Sequence, residues 1–135
     1  MKKILVTGSS GYIGRHLCLD LKLAGHHVTG LDRIYRPQLS DEFICQDILE
    51  NKTIDGDYDV VIHLAALVKV NDSLKYPMQY YQTNVSGTLN VMQKANYKHF
   101  IFASTGAADV QVGYPLGPYA LTKLNTESLI RQYCE

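Results

Sequence analysis

The chain lacks tryptophan, net charge and any cysteine pattern that marks a specialised class of protein. Its 135 residues include only three cysteines, and thirteen Lys and Arg balance thirteen Asp and Glu. Without net charge, no long-range field draws the chain to nucleic acid or to an anionic membrane. Cys18, Cys45 and Cys134 are odd in number and have no Cys-x-x-Cys spacing. We therefore expect a reduced, cytoplasmic protein with no metal site and no nucleic-acid partner.

Long hydrophobic runs are also missing. No apolar run approaches the roughly 20 residues that span a bilayer. The first apolar segment ends at Gly8, before the core of a signal peptide could form. These absences predict a protein without a membrane partner. The length predicts one domain over residues 1–135, since two cores of ordinary size would need more sequence.

What the sequence does contain is an alternation of strand and helix patterns. Short apolar runs predict strands at 4–6, 28–31, 43–45, 60–64 and 100–102. Helical periodicity predicts helices over 12–24, from Pro77 to about Asn96, and over 119–133, with a loop at 33–41. Connections too long for hairpins predict right-handed crossovers. The expected fold is α/β: a doubly wound, mainly parallel Rossmann-type sheet between two helical layers, with ligands at the carboxyl ends of the strands.

The first strand leads into a glycine-rich turn, Thr7-Gly8-Ser9-Ser10-Gly11-Tyr12-Ile13-Gly14. Its glycines are spaced Gly-x-x-Gly-x-x-Gly, unlike the Gly-x-Gly-x-x-Gly of the general dinucleotide fingerprint. They can meet the same demands: a tight turn, close approach to a pyrophosphate, and close packing of helix on strand. Asp32 ends the second strand 18 residues after Gly14 and can accept hydrogen bonds from an adenosine ribose. The pattern favours nucleotide binding over a structural turn.

Two neighbouring residues bear on the choice of dinucleotide. Asp32 would repel a 2′-phosphate, which favours NAD over NADP. Arg33 has three open interpretations: its guanidinium can stack on adenine, pair with a 2′-phosphate, or simply be solvated in a loop.

A tyrosine and a lysine lie one helical turn apart near the end of the chain. Tyr119 and Lys123 are four residues apart, which places them on one face of the predicted helix. A free tyrosine has a pKa of about 10, too high for a base at neutral pH. A neighbouring ammonium stabilises the phenolate and lowers that pKa. The pair therefore indicates a candidate general base.

With these residues in place, the chain resembles the extended branch of the short-chain dehydrogenase/reductase superfamily. The resemblance is to the NAD-dependent nucleotide-sugar epimerases and dehydratases, the group that includes UDP-galactose 4-epimerase, and runs from Lys3 to about Arg131. The motifs that carry it, in order, are the glycine turn, Asp32, Asp47-Ile48, His63-Leu64-Ala65-Ala66, Asn84-Val85-x-Gly87-Thr88, Ser104-Thr105 and Tyr119-x-x-x-Lys123.

The resemblance implies an NAD site. Its expected members are Gly8, Gly11, Tyr12, Ile13, Gly14, Asp32, Arg33, Asp47, Ile48, Leu64, Ala65, Ala66, Asn84, Tyr119 and Lys123. Asp47 and Ile48 would border the adenine, and the 64–66 segment would pass the ribose and phosphates. The residues alone leave other interpretations open, since Asp47 can cap a short helix after it and the two alanines can be tight packing. His63 lies on an apolar strand and is interpreted as a core histidine.

The resemblance also implies catalytic roles. Tyr119 would take a proton from the 4-hydroxyl of a nucleotide-bound hexose while C4 gives a hydride to NAD, and the 4-keto sugar would then rotate. Thr105, preferred over Ser104, would bind the reacting oxygen, and Lys123 would hold the ribose and tune Tyr119. The 4,6-dehydratases carry an Asp-Glu pair after the equivalent Thr, whereas Gly106-Ala107 follows here. This difference favours an epimerase acting on a UDP-hexose.

Two departures keep other functions open. Only 13 residues separate Thr105 from Tyr119, and the chain ends at Glu135, where the family continues into a substrate domain. The alternatives are an NAD-binding module without turnover, or an NADP-dependent reductase or dehydratase of the same superfamily. A homodimer through helices 76–96 and 119–133 is the expected assembly.

Overall fold

The computed structural model describes residues 1–108 and 116–133. Its sheet is parallel throughout, in the order β3-β2-β1-β4-β5. The strands are β1 (Lys3–Thr7), β2 (His27–Asp32), β3 (Glu42–Cys45), β4 (Ile54–His63) and β5 (Ala95–Phe102). The order reverses direction at β1, with β2 on one side and β4 on the other. This confirms the doubly wound α/β fold that the alternating pattern predicts.

Helices cover both faces of the sheet. They are α1 (Tyr12–Leu23), α2 (Val70–Lys75), α3 (Pro77–Tyr81), α4 (Gly87–Lys94) and α5 (Pro118–Tyr133). A π-helical turn, Gln82–Ser86, joins α3 to α4, so the predicted long helix from Pro77 is present but interrupted. Short 3₁₀ turns occur at Pro37–Leu39, inside the predicted loop, and at Gly106–Ala108.

The alternation of β1 explains the two cores. Ile4 and Val6 point to one face and pack with Cys18 of α1, whereas Leu5 points to the other face and packs with Val91 of α4. All three β1 side chains are at most 4% exposed. A strand buried on both faces reads as a continuous apolar run, which is why the sequence reveals it.

Two strand starts differ from the prediction, as does the end of one helix. β4 begins at Ile54, not residue 60, and β5 begins at Ala95, not residue 100, so the helix ends at Lys94 before Asn96. The added residues are mostly polar and exposed. They belong to the strands because they pair with residues of the neighbouring strand. Asp57 pairs with Asn96, whose amide donates to its carboxylate at 2.7 Å. Hydrophobic periodicity cannot detect such pairing.

A turn also replaces the short helix considered after Asp47. The Asp47 carboxylate accepts the Leu49 N–H at 2.9 Å, and the Asp47 carbonyl accepts the Glu50 N–H at 2.9 Å. Asp47 therefore closes a turn on itself, as Asp side chains often do, and caps no helix.

The glycine turn between β1 and α1 brings backbone against backbone. Gly8 has φ +70°, a conformation that side-chain-bearing residues rarely adopt. A Cβ on Gly14 would lie 2.2 Å from the carbonyl oxygen of Gly8, so α1 can approach β1 only because residue 14 has no side chain. The glycine spacing thus has a structural reason as well as a possible binding one.

We predict that Gly14→Ala destabilises the fold by about 2–3 kcal/mol, because the added methyl group forces the turn apart. The sign is diagnostic, since Gly→Ala inside a helix otherwise stabilises by about 0.5–1 kcal/mol. Urea unfolding followed by circular dichroism measures the change.

Gly106→Ala is the matched control, because no described atom lies within 4 Å of the added Cβ. It should alter the free energy of unfolding by about 0.5 kcal/mol or less. A Gly14→Ala protein as stable as the wild type would show that the turn has room to relax.

Candidate functional site

A cavity of about 250 Å³ opens where the first, second and fourth strands end. Nine residues that the sequence assigns to a cofactor line it, namely Gly8, Gly11, Asp32, Arg33, Asp47, Ile48, Leu64, Ala65 and Ala66. These residues come from four separate segments of the chain. The crossover topology brings them together, because the carboxyl ends of neighbouring parallel strands meet at one edge of the sheet.

The other six assigned residues are absent from the cavity lining, namely Tyr12, Ile13, Gly14, Asn84, Tyr119 and Lys123. Tyr12 and Ile13 are 75% and 66% exposed on the first turn of α1, and Gly14 is buried beneath the turn. Lining residues that the sequence interpretation missed include Ser10, Gln46, Leu67 and Thr83. Gln46 could have been found, since it follows β3 directly and strand ends carry the site. Thr83 gave no such signal, because it lies within the π-helical turn.

The N-terminus of α1 faces this cavity. Gly11 is its N-cap, and in the described part of the chain no side chain caps the helix or places an acid in its first turn. Its first amides and the positive end of the helix dipole therefore remain available to an anion. A diphosphate is the kind of group that such a helix end holds.

Asp32 joins the glycine turn to the end of β2. One carboxylate oxygen accepts the Ser10 N–H at 3.0 Å, and the other accepts the Ile34 N–H at 2.9 Å. A carboxylate has about four acceptor sites, so it can still accept hydrogen bonds from a ligand. Arg33 lies at the rim, with its guanidinium 3.7 Å from the Asp47 carboxylate. Asp32 is thus held in orientation before any ligand arrives.

Lys123 is a buried cation on α5. Only 3% of its surface is exposed, and its ammonium donates to the Ala103 carbonyl at 2.8 Å. It also lies 4.7 Å from the centre of the Phe102 ring. Among the residues that the structure describes, no carboxylate forms an ion pair with it. Burial lowers the pKa of Lys123 to about 8.

The hydroxyl candidates after β5 have different partners. The Thr105 hydroxyl accepts the Ala107 N–H at 3.3 Å, at the start of a 3₁₀ turn. The Ser104 hydroxyl donates to the carboxylate of Glu127 on α5. Tyr119 is half-buried in the first turn of α5. The short connection between Thr105 and Tyr119 includes residues 109–115, which lie outside the described residues.

Asn84 supports the cavity from inside the π-helical turn. It is 1% exposed, and its amide accepts the Leu67 N–H at 2.8 Å and donates to the Leu67 carbonyl at 2.9 Å. The same amide nitrogen donates to the Thr122 hydroxyl on α5 at 3.1 Å. Asn84 therefore connects the cavity wall to the helix that carries Tyr119 and Lys123.

His63 is a core residue, as the sequence predicts. It is 1% exposed, and both ring nitrogens have hydrogen-bond partners. Burial, with the charge of Lys123 acting in the same direction, lowers the pKa of His63 to about 3. The imidazole is thus neutral at physiological pH.

Within residues 1–108 and 116–133, no three His, Cys, Asp or Glu side chains are grouped so that they could hold a metal ion. In the same residues, every helix is too short or too polar to cross a bilayer.

A doubly wound parallel sheet whose glycine turn faces a cavity at the strand ends defines a Rossmann-type nucleotide-binding domain. Comparison with known families agrees: the model of the NAD dependent epimerase/dehydratase family matches residues 4–135. The chain belongs to that family, which confirms the resemblance seen in its motifs.

Individual relatives point the same way. The chain is 36% identical to UDP-glucose 4-epimerase of Klebsiella pneumoniae, covering 87% of this chain and 97% of the relative. It is 32% identical to UDP-glucose 4-epimerase of Dictyostelium discoideum, covering 98% of this chain but 47% of the relative. The chain thus spans about half the length of the Dictyostelium protein.

The fold is shared with solved epimerases. A UDP-glucose-4-epimerase from Stenotrophomonas maltophila with bound NAD and formylated UDP-arabinopyranose superposes with a TM-score of 0.82 at 27% identity, over 98% of this chain and 48% of that one. The UDP-glucose 4-epimerase of Bifidobacterium longum in complex with NAD⁺ and UDP gives 0.81 at 26% identity, over 97% and 48%.

We predict that Lys123→Met stabilises the protein by about 2 kcal/mol at pH 7. A lysine whose pKa falls from 10.5 to about 8 on folding weakens the folded state by about 3 kcal/mol at pH 7. The lost hydrogen bond offsets about 1 kcal/mol of that gain. The penalty is complete below pH 8 and disappears as the pH rises towards 10.5, so the difference should vanish near pH 10. Urea unfolding at the two pH values measures it.

Lys75→Met is the control, because Lys75 is exposed at the end of α2. It should change stability by about 0.5 kcal/mol or less at either pH. A Lys123→Met protein whose advantage is the same at pH 7 and pH 10 would contradict the buried-charge explanation.

Proposed function

We propose that the chain binds NAD in this cavity and carries the catalytic groups for epimerisation at C4 of a nucleotide-bound hexose, with a UDP-hexose as the favoured substrate. The observation that carries the proposal is the meeting of the glycine turn, Asp32 and the 64–66 segment around one cavity at the strand ends. NAD, the cofactor expected from the sequence, is also named in the description of the family.

The residues present fit a dinucleotide. At Gly8 the backbone is so close to the opposite wall that a Cβ would lie 2.8 Å from the Ala65 nitrogen. A diphosphate can therefore approach main-chain atoms directly at the N-terminus of α1. The Asp32 carboxylate is held by two backbone N–H groups. Its remaining acceptor sites can accept hydrogen bonds from the hydroxyl groups of a ribose.

The arrangement at the rim supports NAD over NADP. The Asp32 carboxylate would repel a 2′-phosphate at the ribose it binds. Arg33 lies near Asp47, 3.7 Å away, with 66% of its side chain exposed. Its charge is therefore partly balanced by a carboxylate instead of being free for a 2′-phosphate. This favours the interpretation of Arg33 as a solvated loop residue over pairing with a 2′-phosphate.

NAD held by the glycine turn and Asp32 would supply reversible hydride transfer, so that sugar C4 could lose a hydride and regain it on its other face after the 4-keto sugar has rotated. Tyr119, as a phenolate, takes the proton of the 4-hydroxyl, and Thr105 donates a hydrogen bond to the oxygen as charge develops. To stabilise the phenolate and bind ribose hydroxyls of the cofactor, the Lys123 ammonium would have to turn towards them from the Ala103 carbonyl to which it donates in the ligand-free protein. Because its pKa is about 8, the ammonium is still mostly charged at pH 7.

The 3₁₀ turn after Thr105 bears on the dehydratase alternative. It consists of Gly106, Ala107 and Ala108, so it presents no carboxylate for removal of water. A second candidate function is an NAD-binding module without turnover. It is considered because the chain covers about half the length of relatives such as the Dictyostelium epimerase.

Assembly as a homodimer through α3, α4 and α5 belongs to the same proposal. Met78 and Tyr81 of α3 and Leu121 of α5 are 69%, 37% and 36% exposed. α3 and α5 lie side by side, and the Asn125 amide donates to the Tyr81 hydroxyl at 2.6 Å. Exposed apolar side chains on two adjoining helices are a surface that a second copy can cover.

We predict that Asp32→Asn lowers the preference for NAD over NADP by about tenfold or more, because the repulsive charge is removed. Isothermal titration with each dinucleotide measures the two affinities. Asp20→Asn, at an exposed position of α1, should leave the ratio unchanged. A wild-type protein that binds neither dinucleotide would refute the proposed site.

We predict that Tyr119→Phe keeps NAD affinity within about threefold but lowers turnover by about 10²–10⁴-fold, since the proton acceptor is lost. Interconversion in a panel of UDP-hexoses, followed by NMR with NAD present, measures turnover. Tyr76→Phe, at a position 55% exposed, is the control and should behave as wild type.

Three results separate the alternatives. Sugar interconversion without net change in the cofactor supports an epimerase. NAD binding with every sugar left unchanged indicates a binding module. Net oxidation or reduction of added cofactor indicates a reductase.

A further inference from the structure

A line of buried hydrogen bonds runs from the end of β1 to α4 through His63. The Thr7 hydroxyl lies 2.7 Å from His63 Nδ1, and the Thr88 hydroxyl lies 2.9 Å from His63 Nε2. Thr88 in turn donates to the Asn84 carbonyl at 2.7 Å. The four side chains are each at most 1% exposed. We call these four residues the His63 relay.

The relay has a direction. The single hydrogen of the Thr88 hydroxyl goes to Asn84, so its oxygen can only accept from His63 Nε2–H. A neutral imidazole carries one N–H, so Nδ1 must accept, and its donor is the Thr7 hydroxyl. The Thr7 oxygen then accepts the Ala65 N–H at 3.3 Å. The Nε2–H tautomer alone satisfies every group in this arrangement.

At its Thr7 end, the relay reaches the cavity. Thr7 immediately precedes Gly8, and Ala65 forms part of the opposite wall. Thr7 binds that wall twice, because its carbonyl accepts the Leu64 N–H at 3.2 Å and its hydroxyl accepts the Ala65 N–H. The spacing between the glycine turn and the 64–66 wall therefore depends on how the Thr7 hydroxyl is oriented.

At its Asn84 end, the relay reaches α5. The Asn84 side chain binds Leu67 and donates to the Thr122 hydroxyl of α5. The Asn84 carbonyl also lies 3.2 Å from the Thr126 hydroxyl, whose shorter hydrogen bond, at 2.7 Å, goes to the Thr122 carbonyl. The aromatic ring of Phe102 is stacked on His63, with centroids 6.2 Å apart, and also lies against Lys123. One buried network thus contacts both cavity walls and the helix of the catalytic candidates.

We propose that His63 is a positioning residue: held as the Nε2–H tautomer by Thr88, it orients the Thr7 hydroxyl to accept the Ala65 N–H and so sets the spacing of the cavity walls for a dinucleotide. The inference rests on the proposed function for the ligand. The tautomer and the Ala65 hydrogen bond belong to the ligand-free protein and are tested without it.

The first test is the tautomer of His63 in the wild-type protein without ligand, from imidazole ¹⁵N chemical shifts. The expected result is a neutral ring protonated at Nε2. A ring protonated at Nδ1 would overturn the proposal, because the Thr7 hydroxyl would then have to donate elsewhere.

The second test is Thr88→Val, a near-isosteric change at a residue outside the cavity lining. Loss of the acceptor should shift the ring toward the Nδ1–H tautomer. Exchange of the Ala65 amide hydrogen should become about tenfold faster than the change in global stability explains. The dissociation constant for NAD should rise by about tenfold, and Thr88→Ser, which restores the hydroxyl, should reverse these effects.

Thr29→Val is the matched control. Thr29 is a 2% exposed threonine of β2 that is not part of the relay. It should lower stability yet leave the His63 tautomer unchanged and NAD affinity within about twofold. If Thr88→Val does not fold, Thr7→Val tests the other end of the relay: it should leave the ring protonated at Nε2 but speed Ala65 exchange and weaken NAD binding, and Thr7→Ser should restore both.

The outcomes are separable. A folded Thr88→Val protein with wild-type NAD affinity, or with Ala65 exchange that only follows global stability, would overturn the positioning role. A wild-type protein that binds no NAD would refute the proposed function instead, and the tautomer and Ala65 exchange would then decide whether the relay sets the wall spacing.

Discussion

The close approach of three backbone segments at the end of β1 is the constraint on which the rest of the structure depends. A Cβ on Gly8 would press on Ala65, and one on Gly14 would press on Gly8 itself. Without side chains between them, strand, helix and cavity wall meet through main-chain atoms. This meeting aims the N-terminus of α1 at the cavity and leaves its amides available to an anion. A chain with no net charge can hold a diphosphate by geometry in this way.

Part of the cofactor site and of the sheet could be predicted from the sequence, where a recognisable residue pattern follows a predicted strand. The glycine turn and Asp32 could be placed together because each lies at the end of an apolar run long enough to identify a strand, whereas the 64–66 segment was assigned to the site through the family resemblance. The extra length of β4 and β5 could not be predicted, since Asp57 and Asn96 become strand through their ladder partners. The π-helical turn was also missed; hydrophobic periodicity gives no sign of it, and its buried Asn84 binds Leu67 and Thr122, which are distant in the sequence.

Burial sets the charge state of the site. Lys123 and His63 lie in the same interior, with Phe102 against both. Two cations there would repel each other, and burial already penalises each charged form. The lysine keeps most of its charge at neutral pH, because its pKa falls only to about 8, whereas the histidine, with a pKa of about 3, stays neutral. A neutral histidine can then accept at one nitrogen and donate at the other, which the relay requires.

Helix α5 is attached to the rest of the protein mainly through buried polar residues. Its buried residues are Ala120, Thr122, Lys123 and Thr126, so three of the four are polar. Apolar packing tolerates small shifts of a helix along its axis, whereas hydrogen bonds weaken steeply with distance and angle. The Thr122 hydroxyl accepts a hydrogen bond from the Asn84 amide, and the Lys123 ammonium donates to the Ala103 carbonyl. The axial position and rotation of α5 are therefore defined by directional bonds, and Tyr119 is part of the same helix.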